Sequence, residues 1–440
     1  MSFAAEKVKV VYWDKWTGPE GRSLRAVVDA FNRSQDRIEV EVLTVSPVDR
    51  KTLVATAGGN PPDIAGLWAY NIASFADAGA LTPLEPFMRE DGQTADEWQA
   101  RYYPVYQRIT RHNGVVYAAV CQPAMITLHW NKQLFREAGL DPERPPRTVH
   151  ELDEYARKLT KRDPRTGEIT QMGFLPQEPG WWPWVFCRWF GGQLFDGENI
   201  TLATDPRNLE AMRWVASYTK DYGKDAVTKF ASGFAGQFAS PQAGFFSGKV
   251  AMVLQGVWYN AYIREYKPGL DYGVAPAWPS AVPGIDDFSL AEADVLVIPR
   301  GAKHPRGAWE FIKYLSSPNL QAQSREELTG IELLSYIQEK NSPLREWSPF
   351  FANHHPHPKI DVFRRLSASE HAEITPDIGI WTEYHREVLA AFANVRLLTA
   401  TPEEALADAH RRLEKSWARH RRSLERHGQL PAKQNAEVKP

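Results

Sequence analysis

Cysteine is almost missing. The 440 residues hold two, Cys121 and Cys187, and no CxxC pair. Two thiols cannot staple a chain of this length. A single bridge between them requires an oxidising compartment, and the pair falls in segments placed in different parts of the molecule, so two free thiols are expected. Long apolar runs are also missing. No stretch of about 18 apolar residues occurs, which excludes a transmembrane helix. No sign of charge dominates: 52 Lys and Arg face 54 Asp and Glu, for a net charge of -2. Such a balance gives no reason to expect nucleic acid or a charged membrane surface as partner. The Arg- and His-rich stretch near the end (Arg411, Arg412, Arg419, His420, Arg421, Arg422) reads as a solvated helix face. A complete signal peptide is absent too, although Ser2-Phe3-Ala4 fits the small-x-small pattern before a cleavage point. The start is therefore read as the remnant of a trimmed leader.

Catalytic signatures are equally scarce. There is no GxGxxG, HExxH or GxSxG. The segment Gly244-Phe245-Phe246-Ser247-Gly248-Lys249 is one residue short of a phosphate loop, and Val250 stands where Ser or Thr is needed. His354, His355 and His357 crowd around Pro356 and Pro358; prolines at that density predict an extended loop with solvated histidines rather than a metal site. Asp14 and Glu178 fit two descriptions, the acid and nucleophile of a glycosidase or two acceptors for sugar hydroxyls. Nothing local separates these.

What the chain does have is tryptophan: 16, with 16 Tyr and 20 Phe. Some must fill cores, and Trp309 and Trp417 sit in helical stripes. Trp181-Trp182-Pro183-Trp184 is too dense and aperiodic for that alone. Large aromatic faces beside polar groups suit a ligand that is apolar on one face and hydroxylated at its rim, as a sugar ring is.

Strand and helix signals alternate. Val8, Val10 and Tyr12 share one face of a strand, a turn follows at Gly18-Pro19, and Leu24, Val27, Val28 and Phe31 form a helical stripe. Ile38, Val40 and Val42 alternate with Glu39 and Glu41. A third strand is expected over Asp63 to Trp68. Val115 to Trp130 is a long β-prone run, and Val250 to Leu254 and Val295 to Pro299 are further strands. Helix starts are marked by Thr148 with Glu151, by Asp205-Pro206, and by Thr401-Pro402 with Glu404. This grammar predicts an α/β fold, with ligand-facing loops beyond the carboxyl ends of strands.

Five landmarks now carry a family resemblance. They are Pro62-Asp63-Ile64 with Trp68 and Gly79-Ala80-Leu81; Gly114-Val115-Val116-Tyr117 leading to His129-Trp130-Asn131-Lys132 and Ala138-Gly139-Leu140; Gln177-Glu178-Pro179 followed by aromatics; Phe246-x-Gly248-Lys249-x-Ala251-Met252 with Trp258; and Ile298-Pro299-x-Gly301 with Ala308-Trp309-x-Phe311. In this order, over residues 8 to 417, the chain resembles the family 1 extracellular solute-binding proteins of ABC importers, the maltose-binding-protein-like group. The resemblance implies a type II periplasmic-binding-protein fold of two discontinuous α/β lobes. Its three hinge crossings are expected near Pro123 to Ile126, Leu290 to Asp294 and Gly330 to Ser335. The lobes become residues 1–123 plus 291–333 and 124–290 plus 334–422, with 423–440 a polar tail expected to be disordered.

It also implies a function: capture of a carbohydrate, a di- or oligosaccharide, outside the cytoplasmic membrane by hinge closure, and delivery to membrane permease subunits. A monomer acting without catalysis, cofactor or metal is expected, in the periplasm or at the cell surface. The site residues implied are Trp13, Asp14 and Lys15 after the first strand, Trp68 and Asn71 after the third, Glu178, Trp181 and Trp182 in a second-lobe loop, then Trp258 and Trp381. Asp63 and Asn131 are expected to fix turns. The first crossing, Gln122-Pro123-Ala124-Met125, lacks an acidic residue, so one expected hydroxyl acceptor is missing and maltose is not a secure ligand. Residues 336 to 375 match the family poorly. A binder of a compatible solute, of a phosphate ester, or a glycoside hydrolase are the alternatives.

Overall fold

The computed structural model describes residues 7–426. The trimmed-leader reading at residues 2–4 lies outside the described residues, as does the tail beyond 426. The first four residues of that expected tail belong to a helix, Pro402–Arg426. Leu424 continues its apolar face and is 5% exposed, so the helix is held by packing to its last turn.

One sheet organises both halves. Its order is Ile38–Thr44, Val8–Asp14, Ile64–Trp68, Ser289–Val297, Ala118–Asn131, Val250–Gly256, Ile169–Phe174 and Lys161–Arg162. The first three strands run parallel, as helices inserted between them require. Ser289–Val297 then runs antiparallel to Ile64–Trp68 on one side and to Ala118–Asn131 on the other. Ala118–Asn131 is buried at all 14 positions. Its beginning pairs within the first half, and its end pairs with Val250–Gly256 and Tyr272–Val274 in the second. The two segments expected to cross between halves are thus hydrogen-bonded neighbours: Leu290 lies opposite Ile126 and Asp294 opposite Gln122, with a register shift between Asp294 and Val295.

The third expected crossing is corrected. Gly330 to Ser335 begins a helix, Gly330–Gln338, that packs on the Gly18–Ser34 and Pro305–Ser316 helices of the first half. The chain stays there through Leu344, bridged to Tyr102, and Phe351, which packs with Ala322 and Leu328. It joins the second half at Ile360–Ser367, where Phe363 meets the His129 ring. An apolar helix face packs where it fits, and its period alone names no neighbour. The histidine loop is corrected as well. His357 is 1% exposed, set edge-on to Phe363, and burial holds its pKa down near 3; of the three only His354 is exposed.

Local signals hold. Thr401 and Glu404 cap each other reciprocally, Asn131 accepts from Leu134 N at 3.2 Å, and Asp63 accepts from Val11 N and His304 N. Cys121 and Cys187 are free and buried. Five tryptophans, Trp98, Trp184, Trp189, Trp278 and Trp309, are under 2% exposed and serve the core. Trp417 packs edge-on to Phe195.

Candidate functional site

A cavity of about 790 Å³ lies between the halves. Four carboxylates reach it, Glu20, Asp49, Glu292 and Asp294, with Trp16, Trp68, Tyr70 and Gln122, all on first-half elements or the shared strands. The opposite wall is made of rings: Trp181, Trp182, Trp184, Phe238, Trp258 and Trp381. These rings position one another. Trp181 lies edge-on to Trp182 at 5.3 Å and to Phe238 at 4.6 Å. Trp258 is 6.2 Å from Trp182. Trp381 stacks on Tyr384 and stands edge-on to Trp184. Across the gap Trp68 and Tyr70 stack at 5.7 Å, 7° from parallel.

Gly256 sets Trp258. A Cβ there would stand 2.3 Å from the indole, so only glycine lets the ring lie flat on its own strand end.

Of the residues expected at the site, Trp68, Trp181, Trp182, Trp258 and Trp381 line the cavity. Trp13, Asp14, Lys15, Asn71 and Glu178 do not. Asp14 is 2% exposed and turns inward, accepting from Tyr12 Oη at 2.7 Å and Trp16 N at 2.9 Å. Gly66 makes room for it, since a Cβ would sit 2.1 Å from the carboxylate. Lys15 lies one layer behind the wall. It pairs with Asp294 at 3.1 Å, both side chains under a tenth exposed, and sits 4.7 Å from the Trp68 ring. Trp13 packs against the core, and Asn71 is 3% exposed with Oδ1 unpartnered.

A profile of the bacterial extracellular solute-binding proteins matches residues 15–322. The chain belongs to this family. The solved structure of CpMnBP1 with mannotriose bound is 29% identical, superposes with a TM-score of 0.76, and covers 92% of this chain and 99% of its own; the two-lobed type II fold is shared with it. An uncharacterized ABC transporter extracellular-binding protein of Pyrococcus horikoshii is 25% identical over 336 residues, 72% of this chain and 69% of the relative. The sn-glycerol-3-phosphate-binding periplasmic protein of Pectobacterium atrosepticum is 22% identical over 332 residues, 71% and 70% of the two chains.

In this solute-binding protein the strand beside Gln122 to Met125 brings two acids to the cavity. Glu292 lies opposite Ala124 and Asp294 opposite Gln122. Asp294 is already engaged, by Lys15 and by a short hydrogen bond from Trp16 Nε1. Glu292 is not so satisfied. Burial, chiefly, lifts its pKa to about 7; the Trp182 side chain hydrogen-bonds it, and Asp294 repels its charge. Burial likewise lifts Glu178 to about 7. Lys340 enters from the poorly matched segment. It is 7% exposed and donates to Gln122 Oε1 at 3.0 Å. Sequence reasoning missed Glu20, Asp49, Tyr70, Glu292, Asp294 and Lys340. Only Tyr70 carried a usable signal, being two residues beyond Trp68 in an expected site loop.

The halves also touch beside the cavity. His112 Nε2 meets Asp77 at 2.8 Å and Nδ1 meets Asp377 at 2.6 Å, while His420 meets the other Asp77 oxygen at 2.7 Å. Asp77 and His112 come from the first half, Asp377 and His420 from the second. No helix among the described residues is long and apolar enough to cross a membrane.

Proposed function

We propose that this solute-binding protein is the extracytoplasmic receptor of an ABC importer and that its ligand is a neutral di- or oligosaccharide, bound and released unchanged. One observation carries the reading: rings on both walls, Trp68 and Tyr70 on one and Trp181, Trp182 and Trp258 on the other, stand beside carboxylates and Gln122 around about 790 Å³. A sugar laid on the indoles removes its C–H faces from water, and its hydroxyls meet carboxylates and Gln122. The mannotriose in CpMnBP1 supports the ligand class, and the Pyrococcus relative supports the transporter. The moving lobes are taken as residues 7–123 with 291 to about 353, and 124–290 with about 360–426. Because each lobe supplies one wall, ligand favours the closed arrangement, which permease subunits then recognise. A monomer working in the periplasm or at the cell surface completes the reading.

Two rivals lose ground on the cavity's charge. A phosphate ester calls for converging arginines or helix N-termini, whereas four carboxylates line this wall and no arginine does among the described residues. A glycosidase calls for two carboxyls flanking the scissile bond. Asp14 faces inward, and Asp294 is held by Lys15 and Trp16.

The test is a thermal-shift and calorimetric panel of linear manno-, gluco- and galacto-oligosaccharides of two to six units, with sn-glycerol 3-phosphate and glycine betaine. A neutral oligosaccharide is expected to raise the melting temperature and to be recovered intact. A response to the phosphate ester or betaine alone, or a cleaved sugar, overturns the reading.

A further inference from the structure

Past Trp258 the cleft does not end. A second compartment of about 490 Å³ opens there, between the Gly18–Ser34 helix of one half and the Tyr259–Tyr266 helix of the other. It shares four wall residues with the main cavity, Glu20, Trp258, Tyr262 and Lys340. These four form a neck between two spaces, each of a size that holds a small-molecule ligand.

Like the main cavity, the compartment is mostly apolar over its surface. Beyond the neck its charged groups balance, Arg22 and Arg264 against Glu265 and the shared Glu20, among Pro19, Ala26, Ala261 and Ile337. Such a wall reads hydroxyls and rejects neither sign strongly. Two deeply buried amides leave one atom each without a partner. Gln338, 8% exposed, donates to Ser23 Oγ at 2.7 Å, but its Oε1 has no donor. Gln122, 2% exposed, accepts from Lys340, but its Nε2 has no acceptor. The first amide lines the second compartment and the second lines the main cavity. Lys340 stands between them with three N–H donors and a single recorded side-chain acceptor, Gln122. Buried polar groups in folded proteins are nearly all paired, so open hydrogen-bonding capacity on both sides of one neck marks where a ligand's polar atoms go.

The Gly330–Gln338 helix ends beside the neck in a left-handed cap at Glu339. Glu339 holds φ at 57°, a left-handed conformation rare for a residue with a side chain. Its carboxylate is fixed from the other half by Asn260 and Arg264. The turn places Gln338 and Lys340 on its two sides. Tyr262 Oη donates to Glu20 at 3.1 Å, spanning the halves at the neck.

We infer that the bound saccharide passes through this neck, so that its stacked units lie in the main cavity and at least one further glycosyl unit occupies the second compartment, read by Gln338 and Lys340. The inference rests on the carbohydrate reading above and narrows it to chains longer than a disaccharide.

Calorimetry with the oligosaccharide panel tests it on three proteins: the wild type, Ala261→Trp and Ala26→Trp. Both alanines are half-buried and line only the second compartment, from opposite sides. In the wild type, affinity is expected to climb at least tenfold between two units and the best longer chain. Each variant should erase that climb while changing disaccharide affinity less than twofold, with melting in the absence of sugar reporting that it folds. A flat length series in the wild type overturns the inference and leaves the carbohydrate reading standing. So does a folded variant that weakens all lengths equally or none. Failure of every oligosaccharide to bind the wild type removes both.

Discussion

The two walls of the cleft share aromatic rings but not charge. The first-half wall brings carboxylates, Glu20, Asp49, Glu292 and Asp294, beside Trp16, Trp68 and Tyr70; the second-half wall brings indoles and, among the described residues, no carboxylate, lysine or arginine of its own in the main cavity. The first wall is costly to assemble, because charges must be taken from water and then held by partners. Lys15 and Trp16 do this for Asp294. The second wall is stable in itself, since each ring covers another. A receptor divided in this way is half-formed on either lobe, and the full set of contacts exists for the ligand only when the lobes meet.

That comparison can be broken at its strongest point first. Lys15→Met leaves the Asp294 carboxylate buried without its ion, at a cost of about 3–5 kcal/mol in denaturant unfolding. Lys15→Met with Asp294→Leu should cost less than Lys15→Met alone. If the double variant is the worse, the first wall is not electrostatically strained. Trp258→Ala probes the other wall. It should lower oligosaccharide affinity by about 2 kcal/mol, roughly thirtyfold, from lost apolar burial, and cost some folding stability through the lost packing on Trp181 and Trp182.

The smallest effects are in pH. Glu292, lifted from 4.5 to about 7, favours the folded state fully below about pH 4.5. That contribution is lost as pH rises through 7. His112 works in a later window. Burial disfavours its charged ring, but hydrogen bonds and charge from Asp377 and Asp77 outweigh burial and raise it from 6.5 to about 9. Its contribution is complete below pH 6.5 and lost as pH rises through 9. Urea melts from pH 4.5 to 9.5 should therefore show Glu292→Gln flattening the lower limb and His112→Asn the upper. Unchanged limbs would mean that neither group carries its charge difference into folding.

The sequence made legible whatever depends on neighbours along the chain. Alternating apolar residues announced Val8–Asp14 and Ile38–Thr44, and cap pairs such as Thr401 with Glu404 announced helix starts. A strand-end loop announced Trp68 and a dense aromatic cluster announced Trp181 and Trp182 at the cavity, while Trp258 came through the family resemblance. The choice of Asp14 as a ligand contact did not survive, because which way a strand-end carboxylate turns depends on Gly66, 52 positions away.

By itself the sequence determined an α/β chain, its landmarks and the supply of indole rings, since period, capping and side-chain type act within a few residues. The tertiary structure alone decided which carboxylates reach the cleft, how Asp294 is neutralised, and that a helix beginning at Gly330 stays with the first half. Trp16 meets Asp294 across 278 positions, and Lys340 meets Gln122 across 218. Partnerships at that range are set by which strands lie side by side and where a bulge shifts their register, and local pattern holds no record of either.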